Sequence, residues 1–194
     1  MLYKNRQKFQ HQNDRIGKLF SRLPLSPNQW TLTSLFIAAI SAYFITQNNY
    51  ICAAGFFAVA ALCDIIDGAV ARYRNVASPK GGHIDNIADR YVEFIIILGL
   101  MFASLPLYYI DSRVWLALLL FGSMMTTYAK ASAAEKMKKE VKGGILERGE
   151  RMILLFIGLL FGAISHDTLL GVIILAAVLS NITALQRINS AFKK

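Results

Sequence analysis

Apolar residues gather in six long stretches along the chain, at Trp30–Thr46, Tyr50–Cys63, Tyr91–Ile110, Val114–Tyr128, Met152–Ser165 and Thr168–Leu185, with polar connections between them. Several are shorter than the ~20 residues a helix needs to cross a bilayer. They reach that length only if each helix continues into the polar segment on one particular side, and charge identifies the side. With a cytoplasmic N-terminus and six crossings, the outer connections are Gln47–Asn49, Asp111–Arg113 and His166–Asp167, and of 21 Lys and Arg residues only Arg113 then falls outside. Cytoplasmic loops retain Lys and Arg. The pattern therefore predicts an all-α integral membrane protein of six transmembrane helices with both termini cytoplasmic.

Ahead of the first stretch, residues 2–22 place Phe9, Ile16 and Phe20 at intervals of seven and four among Lys4, Arg6, Lys8, Arg15 and Lys18. That is the pattern of a basic amphipathic helix lying on a membrane surface. Leu23-Pro24-Leu25-Ser26-Pro27 breaks it, and Ser26-Pro27 suits the start of the next helix. The expected division is a juxtamembrane helix over 1–22 and a six-helix domain over 23–194. Met1–Arg22 has neither an apolar core nor a small-residue cleavage site, so it reads as a retained segment and not as a signal peptide.

Composition narrows this picture in three ways. At 194 residues and 55% apolar side chains, the chain suits one membrane domain. The formal charge of +9 is interleaved with apolar spans, which argues against a nucleic-acid partner, since that needs a solvated basic stripe. Cys52 and Cys63, eleven residues apart in one helical stretch, are too distant for a disulfide and are expected to be reduced. The longest polar connection, Lys136–Glu150, contains Gly143-Gly144 and is expected to be a mobile loop.

Candidate chemistry lies at one membrane boundary. At 1.5 Å per residue, Asp64 and Asp67 sit roughly 21 and 25 Å along the second helix from Tyr50, and counting back from Tyr108 puts Asp89 at roughly 28 Å on the third, with Asp85 near the interface. Asp64 and Asp67 are i and i+3, Asp85 and Asp89 i and i+4, so each pair shares a helix face and the two faces can converge. Four such carboxylates repel one another unless cations neutralise them. Hard divalent ions with oxygen ligands, Mg²⁺ or Mn²⁺, are the natural partners, so all four acids are candidate metal ligands. Glu93, one turn beyond Asp89, reads either as support for the site or as a partner for Arg90. Capping or pairing with Arg72, Arg74 and Arg90 is the structural alternative for the acids, and a metal-ion transporter is the competing non-enzymatic function. The transporter reading requires acids near the midplane, and these lie near one face.

Asp64-Ile65-Ile66-Asp67-Gly68-Ala69-Val70-Ala71-Arg72, then eight residues, then Gly81 with Asp85 and Asp89 at intervals of four, resembles the complete signature D-x-x-D-G-x-x-A-R-x8-G-x-x-x-D-x-x-x-D of the CDP-alcohol phosphotransferase family. Pro27-Asn28-Gln29-Trp30-Thr31 is similar to that family's P-N-x-x-T element near the nucleotide. The resemblance implies two divalent ions, held on the pyrophosphate by the first three Asp residues, and Asp89 as general base. It implies that Asn28, Thr31, Gly68, Ala71, Arg72 and Gly81 surround the CDP moiety, and that the protein works as a homodimer in a cell membrane with its site facing the cytoplasm. Glycines 68 and 81 leave room for close backbone approach, and Arg72 can clamp phosphate or orient an Asp.

Acceptor identity must be read outside the shared motif. Lys130, Arg148, Arg151 and Arg187 fall at the cytoplasmic ends of helices 4, 5 and 6, a basic set suited to an acceptor phosphate, with snorkelling to the interface as the alternative. Glu147-Arg148-Gly149-Glu150-Arg151 resembles the E-R-x-E-R segment of the phosphatidylinositol phosphate and archaetidylinositol phosphate synthase branch, which implies myo-inositol 1-phosphate as acceptor and CDP-diacylglycerol or CDP-archaeol as donor. Where that branch often continues Lys-Ala-Arg-Ala-Glu, this chain reads Lys130-Ala131-Ser132-Ala133-Ala134. Glycerol 3-phosphate, or the joining of CDP-inositol to inositol phosphate, stays open as the alternative.

Overall fold

The computed structural model describes residues 15–141 and 143–192. Phe9 and the first part of the expected amphipathic helix lie outside them. The described residues hold no strand beyond an isolated bridge between Tyr108 and Ile110, and their long helices are α1 (Pro27–Thr46), α2 (Tyr50–Tyr73), α3 (Pro79–Met101), α4 (Ser112–Met137), α5 (Arg148–Gly162) and α6 (His166–Phe192). Residues 15–20 are also helical. Four helices, α1, α2, α4 and α6, are long and apolar enough to cross a membrane.

The helices run past their apolar stretches on the polar side. Helix α2 continues beyond Cys63 to Tyr73, α3 begins at Pro79, ahead of Tyr91, and α4 continues beyond Tyr128 to Met137. At its other end α3 stops at Met101, short of the expected Ile110. Pro106 lacks the N–H a helix needs and disfavours helical backbone just before it. Tyr109 adopts φ 56°, and the Ser104 N–H turns to Asn48 Oδ1 at 3.0 Å. The expected position of Asp89, counted from Tyr108, therefore began outside the helix. Asp89 is roughly 18 Å along the axis from the true end at Met101.

The chain divides into two compact units, one comprising the described residues up to Ile40 with Gly55–Val92, the other Ser41–Ala54 with the described residues from Glu93 onward. In the first, Trp30, Cys63, Ile66 and Val70 form a buried cluster, against which Ile16, Phe20, Leu25 and Ile37 pack. In the second, α4 and α5 both pack along α6. Close approach there needs glycine: a Cβ on Gly122 would lie 2.9 Å from the Asn181 backbone nitrogen. Large apolar side chains such as Leu32, Phe36, Ile51, Phe121 and Leu185 point outward, whereas Ser34, Ser41, Ser123, Thr126, Ser180 and Thr183 are buried. This inversion suits helices that meet through small residues in a surrounding as apolar as their own side chains.

Candidate active site

The first unit carries the convergence of acids. Asp64 and Asp67 project from α2 and Asp85 from α3, and one carboxylate oxygen from each lies within 4.8 Å of the others. Helical spacing makes this possible, since i and i+3 on α2 share a face. Asp67 is buried, and Asp64 and Asp85 are partly so. Asp89 stands apart from this trio, one turn beyond Asp85 and buried, with Arg90 Nη2 4.0 Å from its Oδ2. Of the four acids expected to hold metal, three therefore meet at one point.

The donor set fits a hard divalent cation: all three groups are carboxylates, with no sulfur or imidazole, and like charges this close gain most from a cation between them. Thr31 of α1 donates its hydroxyl to Asp67 Oδ2 at 2.5 Å, orienting one ligand from a separate element. The sequence pattern pointed to Thr31 as a nucleotide neighbour, but not to this bond, because the partners are 36 residues apart.

Beside the trio opens a cavity of about 610 Å³ lined by Asn28, Thr31, Asp67, Gly68, Ala71, Arg72, Gly81 and Asp85, together with Ser26, Ser78 and Lys80 from outside the signature. All six residues expected around the CDP moiety thus line one space. Gly68 faces Arg72, whose Nη1 would lie 3.3 Å from an added Cβ. A Cβ at position 68 would press on the guanidinium of the one arginine of the signature, which would have to give by a few tenths of an ångström.

The expected acceptor cations belong to the second unit, and their surroundings differ sharply. Lys130 is exposed and Arg148 partly buried. Arg151 is fully buried and donates through Nε and Nη2 to both oxygens of Glu93, and through Nη2 to Ser123 Oγ at 2.9 Å. Glu93, likewise fully buried, therefore pairs with Arg151. Arg187 donates Nε to Gly143 O at 2.9 Å and Nη1 to Thr126 O at 3.0 Å, with Nη2 3.6 Å from Glu147.

The same contacts revise the expectation of a free loop before α5. Leu146 N–H donates to Thr183 Oγ1 at 2.9 Å, Ile145 N–H to Gln186 at 3.2 Å, and Lys139 Nζ to Ala191 O at 3.3 Å, so α6 holds the loop at Lys139 and again at Ile145 and Leu146. Within the E-R-x-E-R segment, Glu150 accepts from the Glu147 N–H at 3.1 Å, so part of that pattern is helix capping.

The CDP-alcohol phosphatidyltransferase family model matches residues 24–183. The chain belongs to the CDP-alcohol phosphatidyltransferase family. It is 36% identical over 194 residues to archaetidylinositol phosphate synthase of Pyrococcus horikoshii, covering 100% of this chain and 98% of that one. It is 31% identical over 173 residues to the enzyme of the same name from Methanothermobacter thermautotrophicus, covering 89% and 86%. Among solved structures it resembles phosphatidylinositol phosphate synthase of Mycobacterium tuberculosis. The crystal structure of that protein with CDP-DAG bound matches with a TM-score of 0.80 at 25% identity, covering 93% of this chain and 94% of the other. Its complex with manganese and citrate matches with a TM-score of 0.82 at 24% identity, covering 93% and 89%. As a member of this family with four spanning-length apolar helices, the chain is a membrane-bound phosphatidyl transferase of phospholipid biosynthesis. The ion-transporter alternative falls with that membership.

Proposed function

We propose that this protein transfers the phosphatidyl or archaetidyl group of a CDP-linked lipid to the hydroxyl of myo-inositol 1-phosphate, releasing CMP. The observation that carries the reading is the meeting of Asp64, Asp67 and Asp85 beside a cavity lined by every expected nucleotide neighbour. The CDP-DAG bound to the mycobacterial relative supports the donor class, and the archaetidylinositol phosphate synthases among the relatives support both the acceptor and an ether-lipid donor.

Asp64, Asp67 and Asp85 would hold two Mg²⁺ or Mn²⁺ ions, with Asp89 at the edge of that set. When bound, the ions offset the charge of the pyrophosphate and of the departing CMP. Asp89 takes the proton of the acceptor hydroxyl as its oxygen bonds to the lipid-bearing phosphorus, and the bond from that phosphorus to the CMP phosphate breaks. Arg72 and Lys80, both lining the cavity, bind phosphate oxygens, and Thr31 keeps Asp67 turned toward the site.

Lys130, Arg148 and Arg187 supply the acceptor-phosphate contacts in this reading. Arg187 exchanges its Glu147 contact for the acceptor, while Arg151 stays with Glu93. The charge asymmetry of the connections supports six spans, with α3 and α5 crossing beside the four apolar helices, both termini cytoplasmic and the site facing the cytoplasm. Pairing with a second copy follows the family resemblance.

The test is CMP release by the full chain in detergent with Mn²⁺ or Mg²⁺. CDP-archaeol and CDP-diacylglycerol serve as donors, and inositol 1-phosphate, glycerol 3-phosphate, free inositol and serine as acceptors. Turnover with inositol 1-phosphate alone is expected. Turnover only with glycerol 3-phosphate would keep the carboxylate site and overturn the acceptor, and turnover only when CDP-inositol replaces the lipid donor would overturn the donor.

A further inference from the structure

The pre-α1 segment is built into the wall of the nucleotide cavity. Its helical residues 15–20 sit directly on the signature helix: a Cβ on Gly17 would lie 2.7 Å from Ala69 O and 2.8 Å from Tyr73 Cβ, so only glycine permits this approach. The Phe20 ring meets Trp30 edge-on with centroids 5.7 Å apart, and Ile16, Phe20 and Leu25 complete the cluster of Trp30, Cys63, Ile66 and Val70. Ile16 and Phe20, expected to face lipid, are thus partly spent on protein.

The turn that follows is closed by one side chain. Arg74, just past the end of α2, donates Nη1 to Leu25 O and Nη2 to Ser21 O and Leu23 O, each at 2.7 Å. A planar guanidinium is suited to gathering several carbonyls at once, and exposed turn carbonyls have little else to hold them in one arrangement. The turn ends at Ser26, whose N–H donates to Gln29 Oε1 at 2.7 Å and whose Oγ accepts from the Gln29 N–H at 3.3 Å, fixing the start of α1. Ser26, Pro27, Asn28 and Arg74 all line the cavity, and Thr31, one turn further, bonds Asp67.

We infer that Gly17 and Arg74 are positioning residues for the donor nucleotide, holding the segment before α1 against the end of α2 so that the Ser26–Asn28 wall of the cavity is preformed. Neither belongs to the family signature, and Gly17 does not line the cavity. The inference deepens the donor reading proposed above and rests on it.

The experiment compares wild type with Gly17→Val, Arg74→Met and Arg74→Lys in the full chain, using CMP release and limited trypsin cleavage after Arg15, Lys18 and Arg22. Gly17→Val and Arg74→Met are expected to raise the donor KM about tenfold, the equivalent of one lost charge-assisted hydrogen bond, with acceptor KM and kcat within about twofold. Both are expected to speed cleavage. Arg74→Lys keeps a charged donor and is expected to recover much of the donor KM, which a general loss of folding would not allow. Faster cleavage with an unchanged donor KM would overturn the positioning role, and unchanged cleavage would overturn the docking itself. Should wild type release no CMP from any CDP-linked lipid, the donor reading fails. CDP with Mn²⁺ then decides the inference: protection of the 15–22 sites in wild type but not in the variants sustains it, and equal cleavage throughout overturns it.

Discussion

The two units of this protein hold charge in opposite ways. In the first, Asp64, Asp67 and Asp85 bring like charges within 4.8 Å beside an open cavity. In the second, Glu93 and Arg151 bring opposite charges together where neither is exposed, with Ser123 as a further partner. A cluster of like charges is incomplete by itself and gains from a cation brought from outside. A buried opposite pair neutralises itself, even though Arg151 Nη1 has no hydrogen-bond partner among the described residues, and its main consequence is what happens when one half is removed. The difference separates residues arranged to bind from residues arranged to hold.

The sharpest way to break this comparison is to remove Asp89, the proposed proton acceptor beside the open cluster. Asp89→Asn is expected to lower CMP release by at least about 10²-fold while leaving the thermal unfolding midpoint close to wild type. A loss of fold in this variant would move Asp89 to the holding class. Next in size, Glu93→Leu or Arg151→Met alone should destabilise the detergent-solubilised protein by about 3–5 kcal/mol, and the double variant should recover most of that loss in thermal unfolding. If the double variant folds but fails specifically in acceptor KM, Arg151 belongs with the binding cations after all.

Thr31→Val probes the join between cluster and scaffold. It removes the hydroxyl from Asp67 and is expected to weaken Mn²⁺ affinity by about 10- to 100-fold, read by titrating activity against metal. The smallest effect expected is in metal-linked stability. Asp64→Asn should remove most of the rise in unfolding midpoint that Mn²⁺ gives wild type over EDTA. An undiminished rise would take Asp64 out of the ligand set.

Much of the first region was legible along the chain because its information is local. Asp64 and Asp67, and Asp85 and Asp89, recur at helical spacing, and Gly68, Ala71, Arg72 and Gly81 stand at fixed offsets from them. Once α2 and α3 form, these offsets decide which side chains share a face, and Asp67, Gly68, Ala71, Arg72, Gly81 and Asp85 line one cavity. The second region was less legible. Lys130, Arg148, Arg151 and Arg187 look alike as cations near helix ends, yet Arg151 is sealed against Glu93, 58 residues away, and Arg187 reaches carbonyls 44 and 61 residues away. Long flexible cations donate equally well to carboxylates, carbonyls and phosphates, so their type does not select the partner.

The sequence by itself determined the helices, the direction in which each outruns its apolar stretch, and the acid-bearing signature, because hydropathy and helical period act within one element. Tertiary structure alone decided which charges are closed on the protein, where α3 ends after Met101, and that Gly17 and Arg74 fasten the chain before α1 to the end of α2. These are contacts between residues far apart in the chain. Their energies depend on distance and burial, which no local pattern encodes.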